Sequence, residues 1–125
     1  MLQRIRVELT AICLLAAVLV GCEPSDATVA QKAKTKGQQA AEQDIAQGIL
    51  KEKEYPAMPY SLQEINYVKL MKEECGVQRE LVRAPNDSKE IRAEVAGYND
   101  VMHAEIRRRF GGDIIQKLRA KAEKR

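Results

Sequence analysis

Apolar residues recur every three or four positions through the second half of the chain, which is the spacing of an amphipathic helix. The longest such stripe predicts a helix of about five turns and consists of Ile91, Val95, Tyr98, Met102, Ile106 and Phe110. An earlier stripe predicts a second helix and consists of Leu62, Ile65, Val68, Met71 and Cys75. A last stripe, after the Gly111-Gly112 pair, predicts a short terminal helix and consists of Ile114, Ile115, Leu118 and Ala122.

Two other segments have weaker patterns. Residues 38–54 are rich in Ala, Gln, Glu and Lys, which favour a helix, and the run Lys51-Glu-Lys-Glu54 suggests a solvated helix face. A Pro-containing segment ends this helix, and residues 77–84 suggest a loop or an irregular turn. No alternation of apolar and polar residues indicates a strand. We therefore expect an all-α fold, a small bundle of three or four amphipathic helices within residues 38–125.

Polar residues predict where these helices begin. Ser61 and Glu64 fit a capping box, in which the hydroxyl and the carboxylate each accept a hydrogen bond from a free N–H group. Asp87 and Glu90 offer a second such pair, and Asp113 can cap the last helix.

The N-terminus has the pattern of an export signal. Arg4 and Arg6 precede an uncharged apolar run over residues 9–20, and this run is too short to span a bilayer, which takes ~20 apolar residues. A positive start, a short apolar run and small residues are typical of a secretory signal peptide. The tetrapeptide that follows, Leu19-Val20-Gly21-Cys22, resembles the lipobox of bacterial lipoproteins.

The resemblance implies that the chain is cleaved between Gly21 and Cys22, which removes residues 1–21. It also implies that the Cys22 thiol becomes a thioether to diacylglycerol, usually with a further acyl chain on the new amino group. Two or three chains hold a protein firmly, since burial is worth ~0.8 kcal/mol per CH₂. Because Glu23 only imperfectly mimics the Asp that retains lipoproteins at the inner membrane, we expect the outer membrane, facing the periplasm. The alternative is an ordinary signal peptide that ends by chance in Cys22.

The start of the mature chain, residues 22–37, lacks apolar residues that could form a core. Val29 is its one aliphatic residue larger than Ala. This composition cannot offset the entropy lost on ordering, so we expect a flexible tether between the acylated Cys22 and the helical domain.

Charge narrows the possible partners. With 21 Lys and Arg against 18 Asp and Glu, the net charge of +3 is too balanced for a dedicated nucleic-acid binder. Basic residues are concentrated near the C-terminus, where they form either a solvated helix face or a patch for an anionic partner, such as lipid phosphates or an acidic protein. The candidate patch consists of Arg107, Arg108, Arg109, Lys117, Arg119 and Lys121.

The residues that could carry chemistry are few. Cys13 leaves with the signal peptide and Cys22 is acylated, so Cys75 is either a packed apolar position, one half of an intermolecular disulfide, or a reactive or metal-binding thiol. The helical spacing favours the first. His103 lies beside Met102, which would suit copper or haem, but the absence of paired ligand spacing favours a structural or exposed histidine. We expect no metal and no cofactor.

The sequence thus predicts a protein without enzymatic activity, since no histidine-based triad or metalloprotease motif is present. We expect a lipid-anchored helical lipoprotein that serves as an interaction or structural module of the cell envelope. Its partners would be the membrane, through the lipid on Cys22, and an envelope protein or a second copy of the chain. The alternative is an envelope lipoprotein that binds a small ligand or a metal.

Overall fold

A computed structural model of the protein describes Glu23 and residues 25–125. The signal peptide and the predicted cleavage and acylation site at Gly21 and Cys22 lie outside these residues. The elements are α1 (Asp26–Ala46), β1 (Lys51–Glu54), α2 (Leu62–Cys75), β2 (Gln78–Leu81), α3 (Lys89–Phe110) and α4 (Ile114–Glu123). The described part is therefore mostly helical, as predicted. None of its helices is long and apolar enough to cross a membrane.

Helix α1 is the largest departure from prediction. Residues 26–37, expected to be part of a flexible tether, form the first turns of this helix, and Ser25 caps it by accepting a hydrogen bond from the N–H of Thr28. The tether prediction is wrong for these residues. The helical unit begins at Asp26 and not at residue 38.

Close packing of small residues explains why such a polar segment is ordered. The face of α1 that packs on α3 buries Gly37 with two alanines, one residue in every four. A Cβ atom on Gly37 would lie 1.9 Å from the carbonyl oxygen of Glu94, and one on Gly97 would lie 2.2 Å from that of Lys34. The two backbones touch because neither position has a side chain. Burial here comes from backbone contact, which a search for large apolar residues overlooks.

A small parallel sheet replaces two predicted features. Helix α1 ends at Ala46, and the chain turns at Gly48, whose φ of 76° is in the left-handed region. Residues 51–54 then form β1, which pairs with β2 from Lys51–Gln78 to Glu54–Leu81. The predicted helix through residue 54 and the predicted loop at residues 77–84 are therefore wrong over these strands. Helix α2 is the crossover that a parallel pair requires.

The helix starts agree with prediction in part. Ser61 caps α2, and its Oγ accepts a hydrogen bond of 3.1 Å from the N–H of Glu64. Helix α3 is capped by Ser88 and not by the neighbouring Asp87. Asp113 occupies the cap position of α4 without a side-chain hydrogen bond to its backbone.

The core follows the predicted stripes of α3 and α4. Of the α3 stripe, Val95, Tyr98, Met102 and Ile106 are buried, while Phe110 is exposed. Helix α2 is rotated from the prediction: Leu62 and Ile65 are 68% and 49% exposed, and the helix buries an adjacent face that retains Met71 and Cys75 of the predicted stripe. That buried face consists of Tyr67, Leu70, Met71 and Cys75.

Candidate functional site

Polar and charged side chains from five elements meet between the sheet and the helices. We call them the Glu52 cluster. Strands β1 and β2 contribute two glutamates and an arginine, and the three helices α2, α3 and α4 contribute the rest. The cluster opens to the surface through a cleft of about 230 Å³. Its members are Glu52, Glu54, Glu64, Tyr67, Arg79, His103 and Arg119.

Glu52 is the centre of the cluster and is only 5% exposed. Its Oε1 accepts hydrogen bonds from the Tyr67 hydroxyl at 2.9 Å and from His103 Nε2 at 2.8 Å. Its Oε2 accepts one from Arg79 Nη2 at 2.8 Å. Burial alone would raise the pKa of Glu52, but the His103 hydrogen bond and the Arg79 charge outweigh it and lower the pKa to about 2. Glu52 is therefore ionised at neutral pH, so that His103 Nε2 must carry the shared proton.

Arg79 joins the three glutamates of the cluster. Besides its contact with Glu52, its Nη1 lies 3.1 Å from both Glu54 Oε2 and Glu64 Oε1. Burial works against the charged form, yet the Glu52 carboxylate raises the pKa of Arg79. The Nε atom of Arg79 is buried and bonds to none of the described residues. The guanidinium of Arg79 is thus held through its two terminal nitrogens, Nη1 and Nη2.

Polar contacts also surround the centre of the cluster, including one from Tyr60, which lies just outside it. Tyr60 donates a hydrogen bond of 2.6 Å to Glu54. The Arg119 guanidinium lies 4.0 Å from the centroid of the Tyr67 ring, a favourable cation–π geometry, and its Nη1 is 3.4 Å from Glu64. Burial, together with the Glu52 charge, raises the pKa of Tyr67, so its hydroxyl stays protonated.

The chemistry of this arrangement is that of a structural ion-pair network. A general base works best with a pKa near the working pH, and the Glu52 carboxylate is far too acidic for that role at neutral pH. Both of its oxygens already accept hydrogen bonds from neighbouring side chains. The network joins two strands to three helices and pairs each of its three carboxylates with a guanidinium group.

A neighbouring contact completes one edge of the sheet. Asn99 on α3 accepts a hydrogen bond of 2.8 Å from the Lys53 N–H and donates one of 2.7 Å to the Lys53 carbonyl. Its side-chain amide thus occupies the place of a third strand along β1.

The structure places the two chemically notable residues in different surroundings. His103 belongs to the Glu52 cluster, with its side chain 30% exposed. Cys75 is buried at the end of α2, and burial raises the pKa of its thiol, which agrees with a packed apolar position. Over residues 25–125, no three His, Cys, Asp or Glu side chains are grouped so that they could hold a metal ion.

Most residues of the candidate basic patch, predicted to bind an anionic partner, are engaged in ion pairs. Arg108 and Arg109 both contact Glu105, and their hydrogen bonds lower its pKa to about 2. Lys117, Arg119 and Lys121 pair with Asp113, Glu64 and Glu74, respectively. Arg107 has no carboxylate partner among the residues that the structure covers. The patch stays a prediction, with less unpaired charge than the sequence suggested.

The sequence contained a signal for the Glu52 cluster that the helical interpretation missed. In the run Lys51-Glu-Lys-Glu54, charge alternates with a period of two, which is the period of a strand. In the sheet, both glutamates face Arg79, while Lys51 and Lys53 lie beside Tyr98 on α3.

Similarity to known proteins adds no assignment to this site. No family model, no curated protein and no solved structure matches the chain. Conclusions about function therefore depend on the residues of this chain alone.

Proposed function

We propose that the protein is a lipid-anchored lipoprotein of the bacterial envelope, whose helical domain is a non-catalytic interaction or structural module. The observation that carries this proposal is the tetrapeptide Leu19-Val20-Gly21-Cys22 after a short apolar run and a positive start. Acylation of Cys22 would attach the mature chain to the membrane surface, facing the periplasm. Of the two membranes, we favour the outer, because Glu23 only imperfectly mimics the Asp that retains lipoproteins at the inner membrane.

The position of α1 adds a geometric consequence to this proposal. Only residues 23–25 separate Cys22 from the first residue of α1. The four residue steps from Cys22 to Asp26 reach at most about 14 Å, so an anchor at Cys22 would hold the domain against the lipid headgroups. A partner would then meet the domain close to the membrane.

The Glu52 cluster supports a module without enzymatic activity. Its central carboxylate is saturated with donors, and its arginine is shared among three glutamates. Such a network ties elements together, and it leaves the exposed faces of the domain for recognition.

Replacing the proposed acylation site should release the protein from the membrane. We expect the wild-type chain to fractionate with membranes and the Cys22→Ser variant to lose most of that association, because the hydroxyl cannot form the thioether. Mass spectrometry of the N-terminal peptide should find Cys22 diacylated in the wild type. Cys13→Ala is the matched control, since it changes a cysteine of the apolar run and should fractionate normally. A Cys22→Ser protein that is processed and stays membrane-bound at wild-type levels would refute the anchor.

A second candidate, a lipoprotein that binds a small ligand, is favoured by the cleft of the Glu52 cluster. The cleft of about 230 Å³ is lined by carboxylates and by guanidinium groups, a combination suited to a small zwitterion. Amino acids that raise the Tm of the wild type but not of His103→Ala would favour this candidate. Crosslinking to an envelope protein in intact cells would favour the interaction module.

A further inference from the structure

The two outer edges of the β1–β2 sheet differ in how they are closed. On β1, the Asn99 side chain bonds to both backbone groups of Lys53. On β2, the N–H of Gln78 donates to the carbonyl of Leu50, just before β1, at 3.1 Å, and the N–H of Val82 donates to that of Glu54 at 3.0 Å. These even-numbered residues therefore face β1.

Alternate residues of a strand direct their backbone groups to opposite edges. Arg79 and Leu81 consequently direct their N–H and C=O groups away from β1, and no residue in the described part of the chain bonds to these four groups. An open strand edge of this kind is a template for another strand.

A groove runs beside this open edge, between α2 and β2. It has a volume of about 320 Å³ and is lined by Val68 and Lys72 from α2 and by residues 77–79. The chain reverses at Gly76, and Arg79 contacts Glu64 near the start of α2. Helix α2 therefore runs back along β2, which brings its N-terminal turns toward the Leu81 end.

Exposed apolar side chains are present at that end. Leu62 and Ile65 on α2 are 68% and 49% exposed, and Leu81 on β2 is 41% exposed. A strand added at the edge of β2 could cover part of this apolar surface with every second side chain, because alternate side chains of a strand share a face.

The charged residues along the edge indicate the sign of the charge that a partner should carry. Lys72 lines the groove and Arg83 follows β2, and neither forms an ion pair with any residue of 25–125. The one carboxylate of β2, Glu80, is already paired with Lys51 at 2.8 Å. Unpaired positive charge beside the open edge fits an acidic segment.

We propose that the outer edge of β2 binds an extended, acidic segment of a partner protein by strand addition. Backbone hydrogen bonds to Arg79 and Leu81 hold the segment. Every second side chain of the segment faces the groove, where carboxylates meet Lys72 and apolar side chains contact Val68. This is the recognition mode in which main-chain bonds supply affinity and alternate side chains supply specificity. The inference rests on the proposed interaction role and does not require the lipid anchor.

A second copy of the chain fits the same edge poorly. Antiparallel self-pairing that uses all four open backbone groups would place Glu80 directly opposite Glu80 of the second copy. Like charges at directly opposed positions destabilise a strand pair. A separate acidic partner avoids this repulsion.

The test uses the full-length chain and a capped hexapeptide of alternating Val and Glu as the probe. We expect the peptide to slow amide hydrogen exchange at Arg79 and Leu81 by about tenfold or more, while exchange at Lys53, whose N–H already bonds to Asn99, stays unchanged. Leu81→Pro removes an outward N–H without breaking a bond of the sheet. It should bind the peptide about fivefold more weakly, which corresponds to about 1 kcal/mol for one net hydrogen bond.

Leu81→Ala is the matched control, because it shortens the side chain but keeps the N–H, and it should weaken binding less than Leu81→Pro. A peptide of alternating Val and Lys should bind more weakly than the acidic one. Unchanged exchange at both amides in the wild type at millimolar peptide would overturn the inference. So would concentration-dependent protection without peptide, which would assign the edge to a second copy. Either outcome leaves membrane attachment and crosslinking to an envelope protein, which test the proposed function, unaffected.

Discussion

Glu52→Gln should lower the free energy of unfolding by about 3 kcal/mol at pH 7, and the loss should disappear in acid. The lowered pKa of Glu52, about 2 against an ordinary value of 4.5, corresponds to that free energy at 1.36 kcal/mol per pKa unit. The substitution also removes the charge that Arg79, itself largely buried, faces at 2.8 Å. Breaking a buried ion pair by removing one partner costs about 3–5 kcal/mol.

The direction of the pH dependence follows from proton linkage. Between pH 4.5 and about 2, the unfolded chain binds a proton at Glu52 that the folded chain does not. The stabilisation by this carboxylate is therefore complete above pH 4.5 and is lost as the pH falls toward 2. Urea unfolding, followed by circular dichroism across this range, should show the wild type and Glu52→Gln converging.

Glu80→Gln is the matched control for this experiment. Glu80 is on the adjacent strand, but its side chain is 43% exposed and it pairs with Lys51 at the surface. Exposed pairs contribute about 0–1 kcal/mol, so this variant should unfold much like the wild type at both ends of the pH range. An equal loss in the two variants, or a loss for Glu52→Gln that does not change with pH, would show that the ionised Glu52 carboxylate does not stabilise the fold as described.

Gly97→Ala should destabilise the protein although alanine favours helices. In an exposed helix, this substitution would gain about 1 kcal/mol. Here the new methyl group would lie 2.2 Å from the backbone oxygen of Lys34, so α1 and α3 would have to separate. We expect a net loss of about 2 kcal/mol in the free energy of unfolding, since overpacking costs about 1–3 kcal/mol and occasionally more.

Gly37→Ala should act in the same way from the other side of the contact, because its Cβ would lie 1.9 Å from the oxygen of Glu94. The polar helix α1 has few large buried residues to hold it once this contact opens. Limited proteolysis should therefore cleave within residues 26–46 of both variants sooner than in the wild type. Gly112→Ala, where a Cβ would meet no atom within 4 Å, is the control. If all three variants unfold and are cleaved alike, the α1–α3 contact is not as close as the structure describes.

The departures from the sequence predictions share a cause. The α2 stripe was assigned from apolar spacing, yet Leu62 and Ile65 are exposed, and Tyr67 and Leu70 are buried. Helix α2 has apolar residues around much of its circumference, so the position of α4 and the sheet decides which face is covered. Tyr67 turns inward because its hydroxyl bonds to Glu52.

The sequence by itself determined the features that depend on neighbours a few residues apart. These are the long helix α3 with its buried stripe, the cap at Ser61 and the mostly helical character of the described chain. The lipobox-like tetrapeptide at Cys22 is equally local, although acylation stays a prediction. Local periodicity and capping are visible in sequence because the interacting residues recur within one or two turns.

Only the tertiary structure decided the strands, the burial of Glu52 and the order of residues 26–37. Glu52 is ionised and buried because Arg79 and His103, far along the chain, surround it. Residues 26–37 are helical because Gly37 meets the backbone of α3. These interactions form between segments that are distant in sequence, and their free energy exists only once the chain has folded. The alternating charges of residues 51–54 have the period of a strand, but such a local pattern does not reveal which distant residues the strand meets.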